Sequence, residues 1–211
     1  MKYQEKKVIF LIFFALISFS AFGQDGKSLP ASKWAQSFEN YLFNLGSISG
    51  KFNQLDKYGK VLKGNFWSNG KGSIKFSYIP QSELIIVIKD GLISVKEFDE
   101  GPISQYSIKD SPISSLFSKD FSLKKFLINE IVIQGNIGTI ELRTKKNSSR
   151  NSVFLTGDYP NPQLRQWKLI DTQNNETTVF FSKIEKFNFL DENFFYYKLI
   201  EKIKKYSNSK I

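Results

Sequence analysis

Between residues 46 and 48 the hydrophobic pattern of this chain changes from the period of a helix to the period of a strand, and that change limits the folds open to it. Upstream, from Pro30 to Leu45, the apolar residues Trp34, Phe38, Leu42 and Leu45 fall at i, i+4, i+8 and i+11. They make one stripe of a helix, with Pro30 near its first turn and Gly46 at its end. Downstream the segments Ile48 to Leu55, Val61 to Ser68, Ser73 to Ile79, Glu83 to Lys89, Leu92 to Phe98 and Ile103 to Ile108 are short and rich in β-branched and aromatic residues. Gly, Pro, Asn or Asp separates each from the next, so the spacing predicts antiparallel hairpins. Pro112 to Ser118 and Ser122 to Leu127 interrupt the series with apolar residues at helical spacing. Strands resume at Glu130 to Gln134, Thr139 to Thr144, Ser152 to Thr156, Leu164 to Asp171 and Thr177 to Phe187, with Asn174-Asn175 as a hairpin tip. One helix against a large antiparallel sheet is the expected architecture.

Two segments are more apolar than a one-sided sheet requires. Leu84 to Ile88 and Val179 to Phe181 are apolar on both strand faces, although an antiparallel strand normally turns polar residues to solvent. Either these strands are packed on both sides, or one face lines an apolar cavity. The 21 Phe residues do not by themselves decide between the two.

The N-terminus reads as an export signal. Lys2, Lys6 and Lys7 precede an apolar run from Val8 to Phe22, and Ala21-Phe22-Gly23 places small residues at the cleavage-determining positions. The run is shorter than the roughly 20 residues that a membrane-spanning helix needs, and polar Gln24 to Lys27 follow at once. The expected organisation is therefore a signal peptide over 1–23, one domain over 24–197 and a basic tail over 198–211. With no Cys after the apolar run, no lipid anchor can be attached there, and the processed chain should be soluble after export.

The chain contains neither His nor Cys. That excludes His-based triads, Cys nucleophiles, zinc sites of the usual ligand set and haem or iron–sulfur ligation, and it removes the commonest general base. The neighbouring carboxylates Asp99-Glu100 and Asp191-Glu192 would point to opposite faces of a strand, and Gly46-Ser47-Ile48-Ser49-Gly50 has Ile where a nucleophile elbow has Ser. No enzymatic activity and no cofactor are expected. The net charge of +10 invites anionic partners. Lys, Asn, Ile, Phe and Tyr are all abundant, however, as an AT-rich coding sequence would make them. Export and the lack of an RNA- or DNA-binding motif argue against nucleic acid.

A set of local motifs carries a family resemblance. They are Gly50-Lys51-Phe52-Asn53-Gln54, Gly64-Asn65-Phe66-Trp67, Gly72 to Pro80 with its alternating aromatics, Lys89-Asp90-Gly91, Ser111 to Phe117 led by Pro112, Gln166-Trp167-Lys168-Leu169, and Phe194-Phe195-Tyr196 as an aromatic last strand. In this order they resemble the periplasmic outer-membrane lipoprotein carrier proteins, the LolA-like family, from about Trp34 to Tyr196.

The resemblance implies an α+β, mainly β fold: an open, incomplete antiparallel β-barrel, or half-barrel, capped by an N-terminal helix and short lid helices. It implies a monomeric chaperone that takes triacylated lipoproteins from an inner-membrane lipoprotein-releasing ABC transporter, shields their acyl chains and passes them to an outer-membrane lipoprotein acceptor. An envelope protein of the same fold that senses or scaffolds lipids without transfer is the alternative. Carried over residue by residue, the lipid-binding candidates are Leu42, Phe52, Phe66, Ile74, Phe76, Ile113, Leu116 and Phe117. All could equally be sealed core. Many members hold the lid with an Arg before the third strand. Gly70 stands in its place here, leaving Lys71 as the nearest latch candidate, a point charge rather than a planar fork. After Tyr197 the chain also departs from the family. Leu199, Ile200, Ile203 and Tyr206 fall at helical spacing among lysines, as a basic amphipathic helix or a solvated tail would have them.

Overall fold

The structure is a computed structural model and describes residues 29–79, 84–97, 102–108, 111–116, 120–145, 152–171, 173–187 and 192–195. The expected signal peptide, Phe117 and the basic tail lie outside the described residues. Helix α1 covers Ala31–Phe43, enters on Pro30 and buries Trp34, Ala35, Phe38 and Leu42 along the expected stripe. The strands are β1 (Ile48–Leu55), β2 (Val61–Ser68), β3 (Ile74–Ile79), β4 (Leu84–Lys89), β5 (Leu92–Glu97), β6 (Ser104–Ser107), β7 (Phe126–Gln134), β8 (Ile137–Thr144), β9 (Ser152–Asp158), β10 (Leu164–Ile170) and β11 (Glu176–Lys186).

Among the described residues all eleven strands form one antiparallel sheet in the order β6-β5-β4-β3-β2-β1-β11-β10-β9-β8-β7. Strands β1 to β6 are one meander and β7 to β11 another, and the pairing of β1 with β11 joins them. Among the described residues β6 and β7 stand at opposite edges, so the sheet is mainly β, carries one N-terminal helix and does not close into a barrel. The hairpin tips behave as their residues require. Asp90-Gly91 takes left-handed backbone at both positions, which a two-residue turn needs, and Asn174 takes it in the five-residue loop between β10 and β11.

Helix α1 precedes β1 in the chain yet packs across the other meander, on β7, β8 and β9. Two glycines open its seat: a Cβ at Gly138 of β8 would collide with the Trp34 indole, and one at Gly157 of β9 would lie 2.9 Å from the Phe38 ring. Trp34 Nε1 donates to the Asp158 carbonyl at 2.8 Å, Tyr159 Oη donates to the Leu29 carbonyl at 2.9 Å, and the Trp34 and Phe38 rings stack 5.1 Å apart. The face of the sheet beneath α1 is called the inner face below.

Three local expectations need correction. The expected mid-chain helices are, among the described residues, single 3₁₀ turns at Pro112–Ser115 and Leu123–Lys125, and Phe126 and Leu127 already belong to β7. A helix there would have left Arg143 and Thr144 at the end of β8 without a partner, whereas β7 pairs with β8 from Phe126 to Gln134 around a bulge at Asn129. Phe194-Phe195 does not continue as a last strand either. Glu192–Phe195 is a 3₁₀ turn laid on the outer face of the sheet, where Phe195 is buried with Ile85 and Val87 and the Phe194 ring meets Trp67 edge-on at 5.4 Å. This accounts for the doubly apolar β4, whose other face joins the inner core through Ile86 and Ile88. At β11 the expectation of double cover does not hold. Val179 and Phe181 are buried inside, but Phe180 is 43% exposed on the outer face.

Candidate functional site

The inner face is a continuous apolar surface built by strand alternation. Ile74, Phe76 and Tyr78 of β3 point the same way at a period of two, as do Val179 and Phe181 of β11, and Phe52 and Phe66 come from β1 and β2. Register sets the aromatic contacts. Phe52 pairs across the ladder with Gly64, which pairs with Tyr78, and the missing side chain at Gly64 leaves the Phe52 ring room to lie over the strand. The Phe52 ring meets Phe76 edge-on at 5.0 Å and Tyr78 at 4.9 Å, and Phe66 meets Phe181 at 4.9 Å. Trp167 of β10 closes the set, with Phe76 at 5.7 Å and Phe181 at 5.2 Å. Edge-to-face pairs at these distances contribute about 0.5–1.5 kcal/mol each beyond their buried area.

Seven of the eight carried-over candidates meet in this one cluster. Leu42 enters from α1, Phe52, Phe66, Ile74 and Phe76 from the strands, and Ile113 and Leu116 from the 3₁₀ turn and the residue after it. All are nearly solvent-free, none more than 4% exposed. Phe117 lies outside the described residues. Ser111 sets the turn, its Oγ accepting from the Ile113 amide at 3.3 Å with Pro112 in the first turn position, so Ile113 is held against the sheet without a long helix. The second turn is tied to α1, where Glu39 Oε1 accepts from the Leu123 amide at 2.9 Å. The inner face is thus filled by the protein's own side chains and covered by α1 and two short turns.

The arrangement is poor in polar chemistry. The Tyr78 hydroxyl donates to Gln54 Oε1 at 2.5 Å at one margin of the cluster, and burial pushes that phenol well above its usual range. Among the described residues no group of three or more acidic side chains could hold a metal ion. Sequence reasoning missed Tyr78, Trp167 and Phe181 as members of the face. The signal for Tyr78 was present in the alternation, since it follows Ile74 and Phe76 at a period of two, whereas Trp167 and Phe181 reach the face only through the β1–β11 pairing.

The latch position has a different geometry from the one expected. Gly70 takes left-handed backbone with φ +67, and a Cβ there would lie 2.5 Å from the Gly46 carbonyl carbon. The turn after β2 and the end of α1 therefore meet backbone to backbone, and no side chain of any kind fits at residue 70 without moving one of them. Asn69 organises the turn, its Oδ1 accepting from the Lys71 amide at 2.9 Å and the Ser73 amide at 3.1 Å. Lys71 is exposed on that turn.

Among the described residues the outer face carries two buried charges, Glu141 of β8, which alternates with inward Ile140 and Leu142, and Lys75 of β3. Lys75, only 6% exposed, lies between Trp67 and Val87 across the ladder, with its ammonium 3.9 Å from the Phe194 ring centroid and 3.4 Å from the Phe194 carbonyl. Burial pushes its pKa down to about 8. The C-terminal turn is thus fastened to the sheet by an ammonium on an aromatic face as well as by Phe195.

The pattern of the family described as outer membrane lipoprotein carrier protein LolA matches residues 44–198. A protein of Rickettsia prowazekii (strain Madrid E), itself uncharacterized, is 25% identical over 196 residues, covering 92% of this chain and 88% of that one. A LolA superfamily protein of Nitrosomonas europaea aligns in structure with a TM-score of 0.48 at 10% identity, over 82% of this chain and 100% of that chain. The MucB chain of the Pseudomonas aeruginosa MucA/MucB complex aligns with a TM-score of 0.45 at 12% identity, over 80% of this chain and 61% of that chain. With its matched segment running from the end of α1 through all eleven strands to the outer-face turn, the chain belongs to the outer membrane lipoprotein carrier protein LolA family.

Proposed function

We propose that this protein is a periplasmic carrier that binds lipoprotein acyl chains on the inner face of its sheet and takes them from the inner to the outer membrane. The observation that carries the reading is the convergence of Phe52, Phe66, Phe76, Trp167 and Phe181 with Ile113 and Leu116 on one apolar face, under a cover of one helix and two short turns rather than a packed second sheet. Family membership supports a lipid- or lipoprotein-binding role. At roughly 0.8 kcal/mol per buried methylene, three chains of about 16 carbons cost on the order of 30 kcal/mol to leave in water, so transfer needs a shield. Non-directional burial against aromatic and branched side chains suits variable chains and leaves them releasable.

In this reading the side chains that fill the inner face give way to acyl chains, and the 112–116 segment moves aside as the lid. Lys71 is the cation nearest the position of the family's latch, and it holds less firmly than an Arg because it offers a point charge. The donor is an inner-membrane lipoprotein-releasing ABC transporter and the recipient an outer-membrane acceptor. The test is release. Purified mature protein is added to lipoprotein-loaded spheroplasts with ATP, and a labelled outer-membrane lipoprotein is sought in the supernatant as a soluble one-to-one complex. Failure by a folded protein that binds triacyl lipopeptide, with its own transporter present, would point to a lipid-sensing role for the same face.

A further inference from the structure

Where the C-terminal end of α1 leaves the sheet, a cleft of about 410 Å³ opens between the helix, the start of β1 and the adjoining ends of β10 and β11. Its volume falls within the roughly 300–1,000 Å³ typical of small-molecule sites. The floor is apolar, formed by Leu45, Ile48 and Phe181 of the inner core with half-buried Ile184 beside them. The rim is cationic, formed by Arg165, Lys183 and Lys186, all exposed. Asp158 fixes the Arg165 guanidinium, Nε to Oδ1 at 2.7 Å and Nη2 to Oδ2 at 2.5 Å, and balances its charge. Among the described residues no carboxylate pairs with the ammonium of Lys183 or Lys186.

Lys183 is brought to this rim by a backbone irregularity. Ser49 pairs with Glu185 and Lys51 with Ser182, so β11 carries one residue more than β1 across this step. The extra residue is absorbed with Lys183 at φ +51, a left-handed conformation uncommon for any residue but glycine. The bulge lets four consecutive residues, Phe181 to Ile184, line the same cleft, which a regular pleat would forbid. Strained non-glycine backbone that aims a charge into a cleft is a feature of ligand sites.

We propose that this cleft binds the polar end of an anionic phospholipid, with the phosphate between Lys183 and Lys186 and the first methylenes against half-buried Ile184 and the edges of Leu45 and Phe181. The two unbalanced ammonium groups select the charge, and the apolar floor selects an amphiphile over a free anion. The ligand and the selecting residues differ from those of the acyl-chain reading, although both sites rest on the same core.

The full mature chain is titrated at low salt with dihexanoyl phosphatidylglycerol and with dihexanoyl phosphatidylcholine, both below their micelle concentrations, and binding is followed by amide chemical-shift changes. The anionic lipid should bind about tenfold more tightly, equivalent to roughly 1.4 kcal/mol. Lys186→Gln should reduce that preference. Lys183→Gly should nearly abolish it while leaving Tm unchanged or raised, because glycine accepts the left-handed backbone without strain. Equal binding of the two lipids overturns the proposal, as does a preference that survives both substitutions. Displacement of the anionic lipid by an equal concentration of inorganic phosphate would also overturn it, since the site would then be one for a free anion. Loss of lipopeptide binding or of lipoprotein release with the lipid preference intact would count against the carrier reading alone.

Discussion

Replacing Gly138 by alanine tests how α1 is seated on the inner face. A Cβ at residue 138 would lie 2.5 Å from Trp34 Cε2 and 2.6 Å from Cη2, against the 3.5–4.0 Å of an ordinary carbon contact, so helix and strand must separate by about 1 Å. The indole has little room to slide, because Nε1 is held by the Asp158 carbonyl at 2.8 Å, the Phe38 ring stacks at 5.1 Å and no part of Trp34 is solvent-exposed. Overpacking of this kind costs about 1–3 kcal/mol. Trp34→Phe removes the benzo ring that the new methyl would strike. On its own it leaves the Asp158 carbonyl without its donor, at a cost of about 1–3 kcal/mol. In the Trp34→Phe background, however, Gly138→Ala should cost less than half of what it costs in the parent, a coupling of about 1–2 kcal/mol between residues in contact. Urea unfolding followed by far-ultraviolet circular dichroism on the four proteins of the cycle measures it. Effects that add to within about 0.3–0.5 kcal/mol would refute the placement of the indole on Gly138.

Restoring the family's arginine by Gly70→Arg should lower Tm and cost about 1–3 kcal/mol, because the left-handed backbone and the Gly46 contact both oppose a side chain; a stabilised variant would show that the turn can open there. Lys75 loses its proton at about pH 8 in the folded protein but near 10.5 when unfolded, so the unfolded state binds more protons in that window and stability should rise with pH from 8 to about 9.5, by about 1 kcal/mol once partial solvation is allowed for. The rise should vanish in Lys75→Met, and it must be read below pH 10, where the raised pKa of Tyr78 begins to act in the opposite direction. Burial would raise the pKa of Glu141, but hydrogen bonds from Ser152, Asn129 and Arg143, with the Arg143 charge, hold it below its ordinary 4.5. Its stabilising effect is therefore present above pH 4.5 and lost as pH falls through the lowered folded value, and Glu141→Gln should flatten acid unfolding monitored between pH 5 and about 3.

Periodicity carried most of the fold. The expected limits of β1 and β2 coincide with those observed, and α1, β3, β10 and β11 differ by a residue or two, because each has an inward apolar face that repeats at the period of its element. Reading failed where tertiary contacts overrode a local pattern. Phe126-Leu127 shows helical spacing with Leu123 but continues as an edge strand, since pairing with β8 satisfies a backbone that a short helix would leave unpaired. Phe194-Phe195 carries no periodic signal separating a strand from a turn, and its role as the outer cover of β4 depends on Lys75 and Trp67, more than a hundred residues away. In the candidate site the face was legible but its far wall was not. Trp167 and Phe181 belong to the second meander, and only the β1–β11 pairing brings them to Phe66 and Phe76. The bulge at Lys183 had no signal, because a lysine in left-handed backbone looks like any other lysine in a strand.

The β1–β11 pairing also determines the order in which such a chain can assemble. Each of the other nine strand pairs joins neighbours in sequence, so its loop closes cheaply and early, whereas β1 must wait for a partner more than a hundred residues downstream. A chain synthesised N-terminus first would complete β1 to β6 while β1 still offered an unpaired edge to any passing strand. The interval before β11 arrives is then the stretch of biogenesis in which this protein is most open to mispairing, and a chaperone that covered the edge of β1 during that interval would protect the whole molecule.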